Sequence, residues 1–334
     1  MGGTASSRLR GVLTDCVRSA TAAPSLHNSQ PWLFRLQGRT VRLYADRGRC
    51  LDVLDPDGRE LFISVGAALF TLRLALLGAG YVPHTEILPD PAEPDLVATV
   101  TAGEQSAPTP AVEALVAAIP CRHTNRWPFA RSVVPADDVE KLVGAARREQ
   151  AVLSVAGAVA RNAIINLSQS ADRRLRAKGG YRAELTRWTA PATGRRDGIP
   201  PSAIGPWDAL ESLPLRDFGL LQPRLSRPSE DFEPYPTIMV LATRGDTSHD
   251  WVRAGQALQR TLLTATSLGL ATTPISQPVE VPAIRELLTD TGHEVWAQVI
   301  LRVGYGRPAS ATPRRPLDEV LLTDRSAGRQ PPSG

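Results

Sequence analysis

The sequence predicts an α+β fold of two pseudo-repeated halves with a long insertion in the second. Three observations carry this. GAALFTLRLALLGAG aligns without gaps to GQALQRTLLTATSLG, matching Gly66, Ala68, Leu69, Leu74 and Gly80 with Gly255, Ala257, Leu258, Leu263 and Gly269. Each helix of that pair is followed by a β-rich stretch, Leu96 to Thr101 in the first half and Gln298 to Val303 in the second. Between Ala177 and Pro234 the periodicity gives way to Gly, Pro, Arg and scattered aromatics.

In order, the first half reads as a helix, a polar loop, a hairpin, a long apolar helix and two more strands. The loop is APSLHNSQPW, Ala23 to Trp32, where two prolines fix φ and Ser25, His27, Asn28, Ser29 and Gln30 crowd donors and acceptors together. Trp32, Leu33, Phe34 and Leu36, a Gly38-Arg39 turn, and Thr40, Val41, Leu43 and Tyr44 make the hairpin. Leu61 to Val82 is long and apolar enough to resemble a membrane span, but Arg73 near its centre and the small residues Gly66, Ala67, Ala68 and Ala75 suit a soluble core. Both long helices end at glycines, Gly80 and Gly269, placed as left-handed caps. Further strands are expected near His84 to Leu88 and Leu96 to Thr101.

Glu104 to Pro110 is a linker by composition, so the halves divide as residues 1–110 and 111–334. The second half predicts helices near Ala111 to Ala118, Pro135 to Arg148, Asn162 to Leu175 and Ala254 to Leu268, and strands at Thr237 to Ala242 and Ala297 to Val303. The insertion, 177–234, reads as a lid in which Arg182, Trp188 and the Asp197-Gly198 turn are candidates to pack over a site. Its aromatics argue against full disorder.

Composition narrows the function. The 334 residues carry a formal charge of +4, too small to imply nucleic acid, and Arg173, Arg174, Arg176 and Lys178 read as a solvated helix face. Cys16, Cys50 and Cys121 are widely spaced, which suits a reducing, cytoplasmic setting. HExxH, GxSxG, the P-loop and GxGxxG are absent, and His84, His123, His249 and His293 show no ligand spacing. No metal, membrane or nucleic-acid partner is expected; a small-molecule ligand is.

Four stretches, in order, resemble the nitroreductase superfamily: APSLHNSQPW, CRHTNRWPF (Cys121 to Phe129), GLATTPISQPVE (Gly269 to Glu280) and RVGYGRPASATPRRPLDEVL (Arg302 to Leu321). Their order resembles the fused, actinobacterial Acg-type branch, over most of the chain from about Arg8 to Leu322. The resemblance implies a mainly antiparallel sheet flanked by helices in each half and one FMN at their junction. The first half would supply internally the loop that crosses between protomers in two-subunit relatives, giving a monomer that mimics a dimer, or a homodimer of such chains.

The resemblance also implies the site. Arg122, Thr124 and Arg126 fall on an Arg-x-Ser-x-Arg phosphate segment. Arg315 falls on the Arg of a C-terminal Lys-x-Arg clamp, with Pro313 in the place of the Lys and Arg314 between them as the residue that could compensate. Ser25, His27, Asn28 and Gln30 would face the ring or ribityl chain. Pro274, Ile275, Ser276 and Gln277 would line the opposite side, with a backbone NH near Gln277 aimed at N5; Ser276 and Gln277 replace the Glu-Gly common in simple nitroreductases. The implied activity is reduction of a small electron-poor acceptor, nitroaromatic or quinone, by NADH or NADPH, with no side chain needed as nucleophile. The alternative is a flavin-binding or sequestering protein with little turnover, favoured by a covered ring.

Overall fold

The first strands form where the hairpin signature stands. In the computed structural model, which describes residues 2–189, 194–208, 210, 213–219, 226–289 and 294–323, helix α1 (Gly2–Ala20) leads through the polar loop into β1 (Trp32–Gln37) and β2 (Thr40–Ala45). Gly38, at φ 58°, makes the turn between them. Helix α2 (Arg59–Gly78), β3 (Tyr81–Ile87) and β4 (Leu96–Gln105) follow, and the four strands form an antiparallel sheet in the order β1-β2-β4-β3.

Helices α3 (Pro110–Ala118) and α4 (Ala136–Arg148), strand β5 (Val152–Val155) and helices α5 (Ala158–Ala177) and α6 (Tyr181–Thr189) come next. Two-residue strands β6 (Trp207–Asp208) and β7 (Ser229–Glu230) pair with each other. Then come β8 (Thr237–Thr243), α7 (Ser248–Ser267), β9 (Ala271–Ile275), the single turns α8 (Gln277–Glu280) and α9 (Pro282–Arg285), β10 (Trp296–Gly304) and the turn α10 (Leu317–Val320). The second antiparallel sheet runs β5-β8-β10-β9.

Helices α2 and α7 pack against each other between the sheets. Their crossing is set by Gly66 and Gly255, the pair matched in the ungapped alignment. A Cβ on Gly66 would overlap the carbonyl of Val252 and lie 3.1 Å from the Gly255 Cα, and a Cβ on Gly255 would overlap the carbonyl of Ile63. Each glycine thus faces the residue three positions before the other. Ile63 of α2 joins the core under the second sheet, and Val252 of α7 joins the core under the first. The cap glycines also correspond: Gly80 at φ 82° and Gly269 at φ 74° lie two residues beyond the two helices.

Helix α2 is long and apolar enough to cross a membrane, with mean hydropathy 2.0, yet 83% of that window is buried inside the protein. Arg73 is satisfied there by Glu149 at 2.8 Å and Gln256 at 2.5 Å.

Three elements differ from the sequence reading. Ala271–Ile275, inside the stretch GLATTPISQPVE for which no strand is expected, is strand β9; Pro274 is tolerated because β9 lies at the sheet edge. Edge strand β5, four residues long and largely exposed, has no alternation to announce it. The insertion, read as lacking regular structure, contains α6, whose buried Tyr181, Leu185 and Trp188 recur at helical spacing. Arg182 points to solvent, and Trp188 packs with Leu51 and Leu54 rather than on the cavity described below. Residues 190–193 and 220–225 of that insertion, and His293, lie outside the described residues.

Candidate functional site

The 23–32 loop is folded against its own preferences. His27, Asn28 and Gln30 have φ of 50°, 56° and 52°, the left-handed region, which costs a non-glycine residue on the order of 1–3 kcal/mol. The surroundings hold it there. The Ser64 hydroxyl on α2 accepts the Leu26 N–H at 3.2 Å, and the Ser25 hydroxyl accepts the Gln30 N–H at 2.9 Å. Trp32 and Phe34, fully buried, anchor the exit.

Asn28 and Gln30 tie the loop to distant chain. The Asn28 amide donates to the carbonyls of Gly198 (2.9 Å) and Pro313 (3.1 Å), and its oxygen accepts from Arg314 (3.0 Å). The Gln30 amide donates to the Arg196 carbonyl at 2.9 Å and accepts the Arg315 N–H at 2.8 Å. Neither side chain lines the cavity; both join insertion, loop and C-terminal segment.

The segment Arg122 to Phe129 is strapped to β9. Thr124 bridges Thr272, the Asn125 N–H donates to the Thr272 carbonyl at 2.9 Å, and the Thr273 hydroxyl donates to the Asn125 carbonyl. Beneath it, fully buried Arg302 pairs with Glu233 at 2.5 and 2.6 Å, stacks 3.6 Å from the Phe129 ring centre and donates to the Trp127 carbonyl. Removing one partner of such a pair strands the other charge. Glu233→Gln is therefore expected to cost about 3–5 kcal/mol in urea unfolding. The double change Glu233→Leu with Arg302→Met should recover most of that; equal instability of the single and double variants would show that the charge is not the cause.

Three arginines here have no carboxylate within ion-pair distance among the described residues. Arg122 and Arg314 converge on one acceptor, each donating to the Ala22 carbonyl at 3.2 Å, and the Nε of each is buried without a partner. Burial and the neighbouring Arg314 push the Arg122 pKa down to about 9, and burial brings Arg314 to about 10. Arg126 donates to the Ala203 carbonyl at 2.8 Å and lies 4.9 Å from the Phe218 ring centre; burial and then Arg216 bring it to about 10. Arg315 differs: it lies 3.5 Å from both Asp46 and Glu319 and donates to the Gln30 carbonyl. Guanidiniums that are largely withdrawn from water and repel each other make a site for an anion.

Next to Arg126 a cavity opens, walled by the 23–32 loop and α2 on one side and by the insertion and β9 on the other; Arg122, Arg314 and Arg315 do not line it. Of the sequence-predicted residues, Ser25, His27, Thr124, Arg126, Pro274, Ser276 and Gln277 line it. Ile275 does not; alternation along β9 turns it into the core with Ile238 and Ile300. Gln277 donates its side-chain amide to the Pro214 carbonyl at 3.0 Å. His27 is buried with neither ring nitrogen partnered, and its ring meets Phe218 edge-on at 5.1 Å. Burial, then Arg216 and Arg126, hold its pKa well below the usual value, so the imidazole is neutral.

Sequence reasoning missed Glu60 and Ser64, presented by α2, and Leu215, Arg216 and Phe218, presented by the insertion. Arg216 ion-pairs with Glu280 and donates to the Tyr181 hydroxyl (2.8 Å) and the Ser276 hydroxyl (3.3 Å). No motif surrounds it; only the fold brings it in. With these side chains reaching inward the open space is about 100 Å³, room for a few waters. Among the described residues no group of His, Cys, Asp and Glu could hold a metal ion.

The nitroreductase family model matches residues 217–305. Rv3131 of Mycobacterium tuberculosis (strain H37Rv), provisionally named as an NAD(P)H nitroreductase, is 34% identical over 322 residues, covering 94% of this chain and 90% of the relative. The protein acg of the same strain, named in the same way, is 33% identical over 337 residues, covering 93% and 96%. Among solved structures, a nitroreductase with bound FMN from Bacteroides fragilis matches with TM-score 0.32 and 14% identity, over 66% of this chain and 98% of that one. One from Anabaena variabilis matches with TM-score 0.41 and 11% identity, over 80% and 69%.

Proposed function

This chain belongs to the nitroreductase family, in its Acg-type branch, and from that premise we propose that it binds one FMN between its halves and passes electron pairs from NADH or NADPH to a small electron-poor acceptor, nitroaromatic or quinone. The observation that carries the proposal is the pair of buried Arg122 and half-buried Arg314, neither with a carboxylate within ion-pair distance among the described residues and each with a buried, orphaned Nε. A phosphate dianion supplies the missing charge and acceptors. Arg314 thus takes the place left by Pro313 in the C-terminal clamp, while Arg315, already neutralised by Asp46 and Glu319, positions Gln30.

The chain's own groups would divide the work. Arg126, facing the cavity as an unpaired cation, favours electron-rich atoms of a bound ring system. Neutral His27 offers a hydrogen bond without adding charge, and the unpartnered state of both nitrogens leaves it free to do so. Ser276, Pro274 and Ser25 shape the walls. When bound, the cofactor supplies the two-electron chemistry, so the protein need only bind, orient and exclude water.

The reading also takes 1–110 and 111–334 as fused halves, supported by the reciprocal packing of Gly66 and Gly255. The insertion serves as a lid, supported by Leu215, Arg216 and Phe218 in the cavity wall and by the ties from Asn28 and Gln30. Those inward side chains favour a second reading, storage of the cofactor with little turnover, because the ring enters only as they give way and nicotinamide then meets a covered face.

The test is direct. Protein purified with FMN is expected to be yellow, to release about one FMN per chain on denaturation, and to bleach rapidly in stopped flow with NADH or NADPH. Full occupancy with no reduction would select storage; a protein that ignores added FMN would remove both readings.

A further inference from the structure

A further cavity, which shares no lining residue with the first, lies in a groove between α2, α3, α4 and α7, with a volume of about 460 Å³, within the range of small-molecule sites. Its floor belongs to a small cluster in which Phe70, Leu74 and Leu263 are buried and which reaches Ala118, Ile119 and Ala22 at its other end. Its roof is α3, PAVEALVAA, the most apolar short helix of the chain, yet only Ala118 in it is buried; Val112 and Leu115 face the groove half-buried. Apolar surface is left over there that a guest could cover.

The rim is cationic. Arg73 and Arg260 share the single buried carboxylate of Glu149, at 2.8 and 2.6 Å, so one positive charge is in surplus. Lys141 pairs with Asp138 at 2.8 Å, and Arg148 has no carboxylate within ion-pair distance among the described residues. A pocket with an apolar floor and uncompensated cations at its mouth complements a molecule with an alkyl body and one anionic head.

We propose that this groove binds a single-chain aliphatic carboxylate of the fatty-acid class, the chain lying over Phe70, Leu74 and Leu115 and the carboxylate at Arg148. Glycine 144 provides a clean probe. It lines the groove from within α4, and a Cβ added there meets nothing within 4 Å. A larger residue should therefore fill the groove while helping the helix.

The experiment is calorimetric titration of the full chain with decanoate and with decanol, in the presence and absence of FMN. Decanoate is expected to bind saturably, one per chain, roughly tenfold more tightly than decanol, and equally with or without FMN. Gly144→Leu should fold at least as well as wild type and weaken both ligands tenfold or more. Arg148→Ala should erase the preference for decanoate. No saturable binding, equal affinity for the two ligands, undiminished binding by Gly144→Leu, or displacement of decanoate by FMN would each overturn the proposal; the last would put the guest in the flavin cavity instead.

Discussion

Replacing Arg122 by Met is expected to weaken FMN binding by about a hundredfold or more, and yet to leave the FMN-free protein at least as stable as wild type. Both effects have one cause. Without a bound anion, Arg122 is buried beside Arg314 with only the Ala22 carbonyl to solvate it, and its pKa falls to about 9. A base whose folded pKa lies below its ordinary value destabilises the fold while it is charged in both states, and the penalty is relieved only as pH rises through that folded pKa, so at neutral pH the full penalty is present, of the order of several kcal/mol at about 1.4 kcal/mol per unit. Methionine removes the penalty while filling similar space. It also removes the charge-assisted bonds a phosphate would receive, which are about twice as strong as neutral ones. Thermal midpoints with and without FMN, combined with equilibrium dialysis, measure both effects. A variant that binds FMN within threefold of wild type would move the phosphate site elsewhere.

Gly255→Ala should destabilise the fold by about 3 kcal/mol or more. An alanine in a helix interior ordinarily gains about 1 kcal/mol over glycine. Here the new Cβ meets the backbone carbonyl of Ile63, which cannot rotate away, so α2 and α7 must part and loosen both cores at once, because each helix lends a residue to the other's cluster. Gly144→Ala is the control: a helical glycine with open space at its Cβ, expected to be neutral or stabilising. Urea midpoints for the two should move in opposite directions. A shift of Gly255→Ala by less than 1 kcal/mol would mean that the crossing is soft.

Local elements were legible wherever one periodicity or one turn residue decided them. The hairpin at Gly38, the long helices and their glycine caps, and β8 and β10 follow from short-range pattern. Strand β5 escaped because four exposed residues carry no alternation, and β9 because proline suggests a break unless the strand is known to lie at an edge. In the site, Arg122 and Arg126 were visible through spacing, as were Ser25, His27, Ser276 and Gln277 in their motifs. Which arginine of the 314–315 pair lacks a carboxylate among the described residues depended on Asp46 and Glu319, far away or one turn on, and no local pattern records that.

The sequence by itself determined most of the long elements, the family and the two polar segments, because these rest on contacts within a few residues or on motifs read in order. Tertiary structure alone decided that Arg122 and Arg314 meet at the Ala22 carbonyl, that Asn28 and Gln30 act as ties, and that Arg216 and Phe218 enter the cavity. The reason is physical: the charge state and availability of a buried group are set by burial and by neighbours some hundred to nearly three hundred residues away in sequence, distances over which a chain carries no signal until it folds.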